Sequence, residues 1–177
     1  MVGVVLDSEA AEDKAGVRVG EGGRSVMDKA TTDLWWPHGT VEQVYLSSSG
    51  RGTLRMTRLG PDAFLAYVSG HVDLELARRM MNVLTKEPAG LAPILLFGDW
   101  TGIESYDTAA RVELTQFFRK RRPQYHAIHS LAKSKLVAMA LAVANMALRG
   151  LLWNYADRAM FEAAMKELLG VTPPRRH

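Results

Sequence analysis

An apolar run that stops abruptly at a polar cluster constrains this chain most. Residues 91–110 read LAPILLFGDWTGIESYDTAA. Ile94, Leu95, Leu96 and Phe97 form a short unbroken hydrophobic block, the pattern of a strand buried on both faces. Gly98 and Asp99 interrupt it. The spacing predicts a turn through Thr101 and Gly102, with Asp107 and Thr108 at the start of a helix. A buried strand that delivers a polar segment to a helix N-terminus is where open α/β folds place their ligands and partners.

The flanking sequence supplies the rest of such a fold. Residues 41–46 and 51–58 alternate as strands, joined by Ser47-Ser48-Ser49-Gly50. A third strand, 63–69, follows the turn signal Gly60-Pro61-Asp62. Links this short make the three antiparallel neighbours. Residues 72–86 have helical spacing, with Leu74, Ala77, Met81 and Leu84 on one face, and Pro88 and Gly90 closing them. After the central strand, a helix over 108–121 takes Asp107 as N-cap and Val112, Leu114, Phe117 and Phe118 as its core side. A strand over 125–131, an apolar helix over 134–148 ended by Gly150, a strand over 151–155 and a helix over 158–169 complete the order β-β-β-α-β-α-β-α-β-α. That last helix is capped by Asp157, with Met160, Phe161, Ala164, Met165 and Leu168 inward. Strands alternating with helices imply a largely parallel inner sheet.

Residues 1–38 differ. They are rich in Gly, Asp, Glu, Ala and Ser, carry net negative charge, and keep no apolar period. They read as a flexible extension to a domain spanning 39–170, with 171–177 as a frayed tail. Met27 is an alternative start, which would leave residues 1–26 outside the native protein. Within the extension, Trp35 and Trp36 are adjacent indoles. Such a pair either caps the chain's own core or anchors a partner.

Composition narrows the function classes. With no cysteine, thiol catalysis, disulfides and cysteine-ligated metal are excluded. A net charge of +3 does not call for nucleic acid. No basic start precedes an apolar block, so no signal peptide is expected. The longest apolar run, 136–148, falls short of the ~20 residues of a spanning helix. A soluble cytoplasmic protein is the expectation. His126 and His129, three apart on a strand, fall on opposite faces and make poor joint metal ligands. His38 and His71 have no acidic or histidine cluster beside them in sequence, and no Ser-His-Asp set can be assembled. Arg119, Lys120, Arg121 and Arg122 end a helix whose dipole they complement; the alternative is an anion patch for acidic lipid, nucleic acid or an acidic partner. No metal or cofactor is expected, and no enzymatic activity.

At Asp99-Trp100-Thr101-Gly102-Ile103-Glu104-Ser105-Tyr106-Asp107-Thr108 the chain resembles a STAS domain, the fold of the anti-sigma-factor antagonists and of STAS/SEC14-type bacterial relatives. The resemblance covers about residues 40–170. Asp99, Gly102, Ile103 and Asp107 match its signature. Thr108 stands where classical members carry a phosphorylated Ser, and Ala110 where they carry Gly. The resemblance implies an α/β fold with a STAS-like mixed sheet: antiparallel N-terminal strands, parallel inner strands and about four helices. It also implies a non-catalytic regulatory or scaffolding role with a protein partner, a kinase or anti-sigma-type regulator among the possibilities. The docking surface would comprise Asp99, Thr101, Gly102, Ser105, Asp107 and Thr108, with Thr108 as phospho-acceptor.

The helix over 136–148 is apolar almost all round, where a helix covering a sheet should have a polar outer face. Three readings stay open. Trp35 and Trp36 could cover it. A second copy could pack on it, making Met139, Val143 and Met146 interface residues of a dimer. A pocket beneath it could take a lipid-like or other small molecule, which would make the domain a ligand sensor.

Overall fold

A computed structural model describes residues 42–86 and 93–170. Its elements follow the expected order. Strand β1 (Glu42–Leu46), β2 (Gly52–Gly60) and β3 (Ala63–Val72) precede α1 (Leu74–Lys86). Then come β4 (Ile94–Tyr106), α2 (Thr108–Lys120), a 3-10 turn (Arg122–Gln124) and β5 (Tyr125–Leu131). Helix α3 (Lys135–Leu148), β6 (Leu152–Tyr155) and α4 (Arg158–Leu168) end the fold. The six strands lie side by side in sequence order. β1, β2 and β3 pair antiparallel, and β3 to β6 pair parallel. This is the mixed sheet with four helices that the resemblance implied. Trp35, Trp36, the 1–38 extension and the 171–177 tail lie outside the described residues.

Alternation along the strands divides the sheet into two unlike faces. Leu54, Met56, Phe64, Ala66, Val68, Leu96 and Ile128 join α1, α2 and α3 in one apolar cluster. Their strand neighbours Leu65, Phe97 and Leu131 point the other way, where Phe161 of α4 meets Phe97 edge-on at 6.1 Å between ring centroids. Three helices therefore share one face, and α4 packs on the other.

Four local expectations change. First, β4 neither breaks at Gly98 and Asp99 nor turns through Thr101 and Gly102; it runs for 13 residues to Tyr106. The cause is non-local. β3 is long enough to pair with its whole second half, down to Val72 beside Tyr106. Two register shifts, at Tyr67/Ser69 and Gly70/His71, absorb the irregular polar stretch. Second, the inward side of α1 is Leu76, Ala77, Met80, Val83 and Leu84, not the stripe through Leu74 and Met81. Asp73 sets the phase, its carboxylate accepting from the Leu76 N–H at 2.9 Å. Third, α2 buries Ala110 and Phe118, while Val112 is exposed. Fourth, α4 buries Phe161 and Met165, but Met160 and Leu168 face outward. A helix of three turns lying on one sheet face has room for only a narrow stripe.

Helix ends follow their signals elsewhere. Asp157 accepts from the Met160 N–H at 3.0 Å and caps α4. α3 ends where Arg149 and Gly150 take positive φ, 53° and 76°.

Candidate functional site

The polar stretch of β4 divides into an inward half and an outward half. Gly98 allows the Trp100 ring to fold back over the strand, since a Cβ there would run into the indole. The ring lies among the three-helix cluster and donates from Nε1 to Ser130 Oγ at 3.0 Å. Asp99 points to the opposite face and is fully buried. One carboxylate oxygen accepts the Thr101 N–H at 3.0 Å and the Thr101 hydroxyl at 2.6 Å. The other accepts Arg158 Nη2 at 3.0 Å, from the first turn of α4. A buried carboxylate held by three donors is an anchor between sheet and helix. Asp99 is thus removed from the expected docking surface, and the Thr101 hydroxyl is committed to Asp99. Gly102 is the second close approach: a Cβ would lie 2.8 Å from both Ser69 Cβ and Tyr67 Oη.

The outward half begins at Ser105. In the sheet His71 of β3 lies beside Ser105 of β4. The His71 ring bridges two residues of the junction, with Nδ1 at 2.8 Å from Ser105 Oγ and Nε2 at 3.2 Å from Asp107 Oδ1. Asp107 occupies the N-cap position of α2, as expected, but its side chain makes no capping bond. His71 holds that carboxylate instead. Ser105, Asp107 and Thr108 are all exposed. They form one polar surface at the end of β4, its geometry set by a histidine 36 residues before Asp107.

Ser105, His71 and Asp107 do form a hydrogen-bonded Ser-His-Asp chain, which the sequence did not suggest. Acyl transfer needs more than that relay: donors aimed at the developing oxyanion and a substrate pocket at the nucleophile. Neither Ser105 nor His71 lines the apolar cavity described below.

His126 and His129 stand as expected on opposite faces, the first exposed and the second buried. His129 stacks on Phe97 at 5.3 Å and lies 2.8 Å through Nδ1 from the Tyr155 hydroxyl. Burial, reinforced by the nearby charge of His126, pushes the His129 imidazole below its ordinary pKa. Burial likewise raises the Tyr155 phenol, with Glu167 adding to the effect. Among the described residues no three His, Asp or Glu side chains are grouped to hold a metal ion. No described helix is long and apolar enough to cross a membrane. The basic run at the end of α2 is partly used locally: Arg121 lies over the Phe117 ring at 5.0 Å, and Arg122 Nη1 reaches the Tyr125 carbonyl at 3.4 Å.

Helix α3 keeps the uncovered outer face its sequence predicts. Met139 is 70% exposed and Met146 76%, with Leu136 and Val143 about half exposed beside them. Its inner face is built from small residues and bounds a cavity of about 140 Å³ between the sheet and the three helices. Trp100, Ile103, Leu114, Phe118, Leu141 and Ala144 are among its walls.

No family model matches this chain, and no curated protein does. Among solved structures it is similar to an uncharacterized protein of the DUF3478 family with a SpoIIAA-like fold from Shewanella loihica PV-4. That likeness is at 14% identity and a TM-score of 0.48, covering 74% of this chain and 98% of that one. It is also similar to an anti-sigma factor antagonist from Mycobacterium paratuberculosis, at 13% identity and a TM-score of 0.43, covering 75% of this chain and 99% of that one.

Proposed function

We propose that this protein is a non-catalytic regulatory domain that docks a protein partner through Ser105, Asp107 and Thr108. One observation carries the reading: the three side chains are exposed together at the strand–helix junction, and His71 pins the carboxylate among them. A partner meeting this surface finds the Ser105 hydroxyl and the Asp107 carboxylate already oriented, so little side-chain entropy is lost at these two on binding. Gly102 lets the junction lie close against β3. Asp99 and Thr101 support it from inside. Thr108 is the phospho-acceptor in this reading. A phosphate there adds a charge of about −1.5 to −2 beside Asp107. An interface built around a neutral hydroxyl loses complementarity on that change.

The outer face of α3 is a second contact surface in the same reading. Exposed Met139, Val143 and Met146 suit a flat apolar interface, with a second copy of the chain as one occupant.

Native mass spectrometry of complexes recovered from the source cells tests the docking site. Wild type and Thr108→Val should carry one stoichiometric partner, and Thr108→Glu should lose it while melting as wild type does. A partner retained by Thr108→Glu contradicts the reading. An unfolded Thr108→Glu would assign the position to stability instead.

A further inference from the structure

Charge is spread unevenly along this chain. Residues 114–156 hold seven Lys and Arg and no Asp or Glu, while the whole chain carries only +3, so the rest of it is net negative. The fold sets these cations at both ends of α3. Lys133 and Lys135 stand at its start and Arg149 at its end, all three exposed. Arg119 and Arg122, from the end of α2 and the turn after it, border a hollow together with Ala147, Leu148 and Arg149. Among the described residues no ion pair takes up any of the seven. Arg121 and Arg122 meet only neutral groups, the Gln124 side chain and the Tyr125 carbonyl, which leave their charge uncompensated.

Between these charges lies the uncovered face of α3. Leu136, Met139, Val143 and Met146 are each half or more exposed, and their spacing of three, four and three residues puts them on one side of the helix. Lys135, four residues before Met139, and Arg149, three after Met146, continue the same stripe at its two ends.

The pairing of a bare apolar stripe with an unneutralised basic surround decides among occupants. A second copy would bring two faces of like charge together. Nucleic acid would use the cations and leave the aliphatic side chains without a counterpart, since none of the four is an aromatic that stacks on bases. An anionic bilayer uses both: its headgroups attract the basic surround, and the apolar side chains enter the boundary between headgroups and acyl chains. We infer that the outer face of α3 docks on an anionic lipid surface, with the helix lying in the plane of the bilayer. The inference rests on the reading of that face as a contact surface and names its occupant. It leaves the junction untouched, because Thr108 begins α2 and the arginines stand at its other end.

Vesicles of equal parts phosphatidylcholine and phosphatidylglycerol are the probe, with pure phosphatidylcholine vesicles as the neutral counterpart. Co-sedimentation is read on the full chain. The protein should sediment with the anionic vesicles and not with the neutral ones, and added salt should weaken the binding. Arg119→Gln and Arg149→Gln should each weaken it about fivefold. Met139→Glu should weaken it about tenfold or more with the melting temperature unchanged. Should Met139→Glu misfold, Met146→Glu gives the same test two turns along the helix. No binding to the anionic vesicles would overturn the inference. So would equal binding to the neutral ones, or anionic-vesicle binding that the folded Glu variant leaves unchanged. Sedimentation equilibrium and titration with duplex DNA identify the rival occupants. A homodimer lost in Met139→Glu, without vesicle binding, would overturn the bilayer and keep the contact surface. DNA binding without vesicle binding would assign the cations to a polyanion and overturn it as well. The absence of all three would remove the contact surface itself.

Discussion

The two faces of the sheet are packed by different means. On the α4 face, Phe97, His129, Tyr155 and Phe161 stack and meet edge-on with ring centroids 5.3–6.1 Å apart. The buried carboxylate of Asp99 is satisfied by Thr101 and Arg158. On the other face three helices supply more apolar area, yet α3 contributes Ala140 and Ala144 where large side chains would close the gap, and a void remains. The small helix is locked by aromatic contacts and a charge pair. The larger layer leaves a partly open apolar gap between the sheet and its helices.

Cutting into the dense face should cost most. Phe161→Ala removes a fully buried ring and should destabilise the domain by about 3–5 kcal/mol, measured by urea unfolding. Arg158→Ala comes next. It strips Asp99 of its cation while leaving the carboxylate buried, at a cost on the order of 3 kcal/mol. If that loss comes from the stranded charge, Asp99→Asn in the same background should restore part of it.

Acid should weaken the same face. Burial favours neutral His129, so its folded pKa lies below the ordinary 6.5 and the unfolded chain binds the proton more readily. Stability from this residue is complete above about pH 6.5 and falls as pH drops through the folded value. His129→Phe should flatten that acid slope in a stability–pH series, and an unchanged slope would assign it to other groups.

The loose face should respond in the opposite sense. Ala144→Leu fills space instead of creating it, and should leave stability within ~1 kcal/mol of wild type or raise it. The smallest effect belongs to the junction. His71→Ala removes bonds to two exposed residues and should change stability by roughly 0.5 kcal/mol or less, while weakening partner docking. A large loss of stability would make His71 a structural clamp only.

The element order and the parallel inner sheet were legible because they rest on local periodicity: the apolar block at Ile94–Phe97, the helical stripes, and the Gly-Pro punctuation between them. The course of β4 was not. Gly98, Asp99, Thr101 and Gly102 have turn chemistry, and only pairing with β3 keeps them extended. For the same reason the role of Asp99 is not legible in the local pattern. Its cation, Arg158, is 59 residues away, and nothing in the local pattern marks a carboxylate as buried. The place of His71 is not legible locally either, since its neighbours in sequence are not its neighbours in the sheet, where Ser105 lies beside it. The apolar outer face of α3 was legible, being a property of one helix. The cavity on its inner side was not, since it depends on how three helices meet.

Pressure tests the contrast between the faces most directly. Unfolding under pressure is favoured by the internal void volume it eliminates. Pressure-unfolding curves followed by tryptophan fluorescence, with Trp100 at the cavity wall, give that volume for wild type and for Ala144→Leu. Ala144→Leu should show a clearly smaller volume change than wild type, and Phe161→Leu, which adds a cavity on the other face, a larger one. Equal volume changes in wild type and Ala144→Leu would mean that the three-helix face is already closed, and would contradict the account.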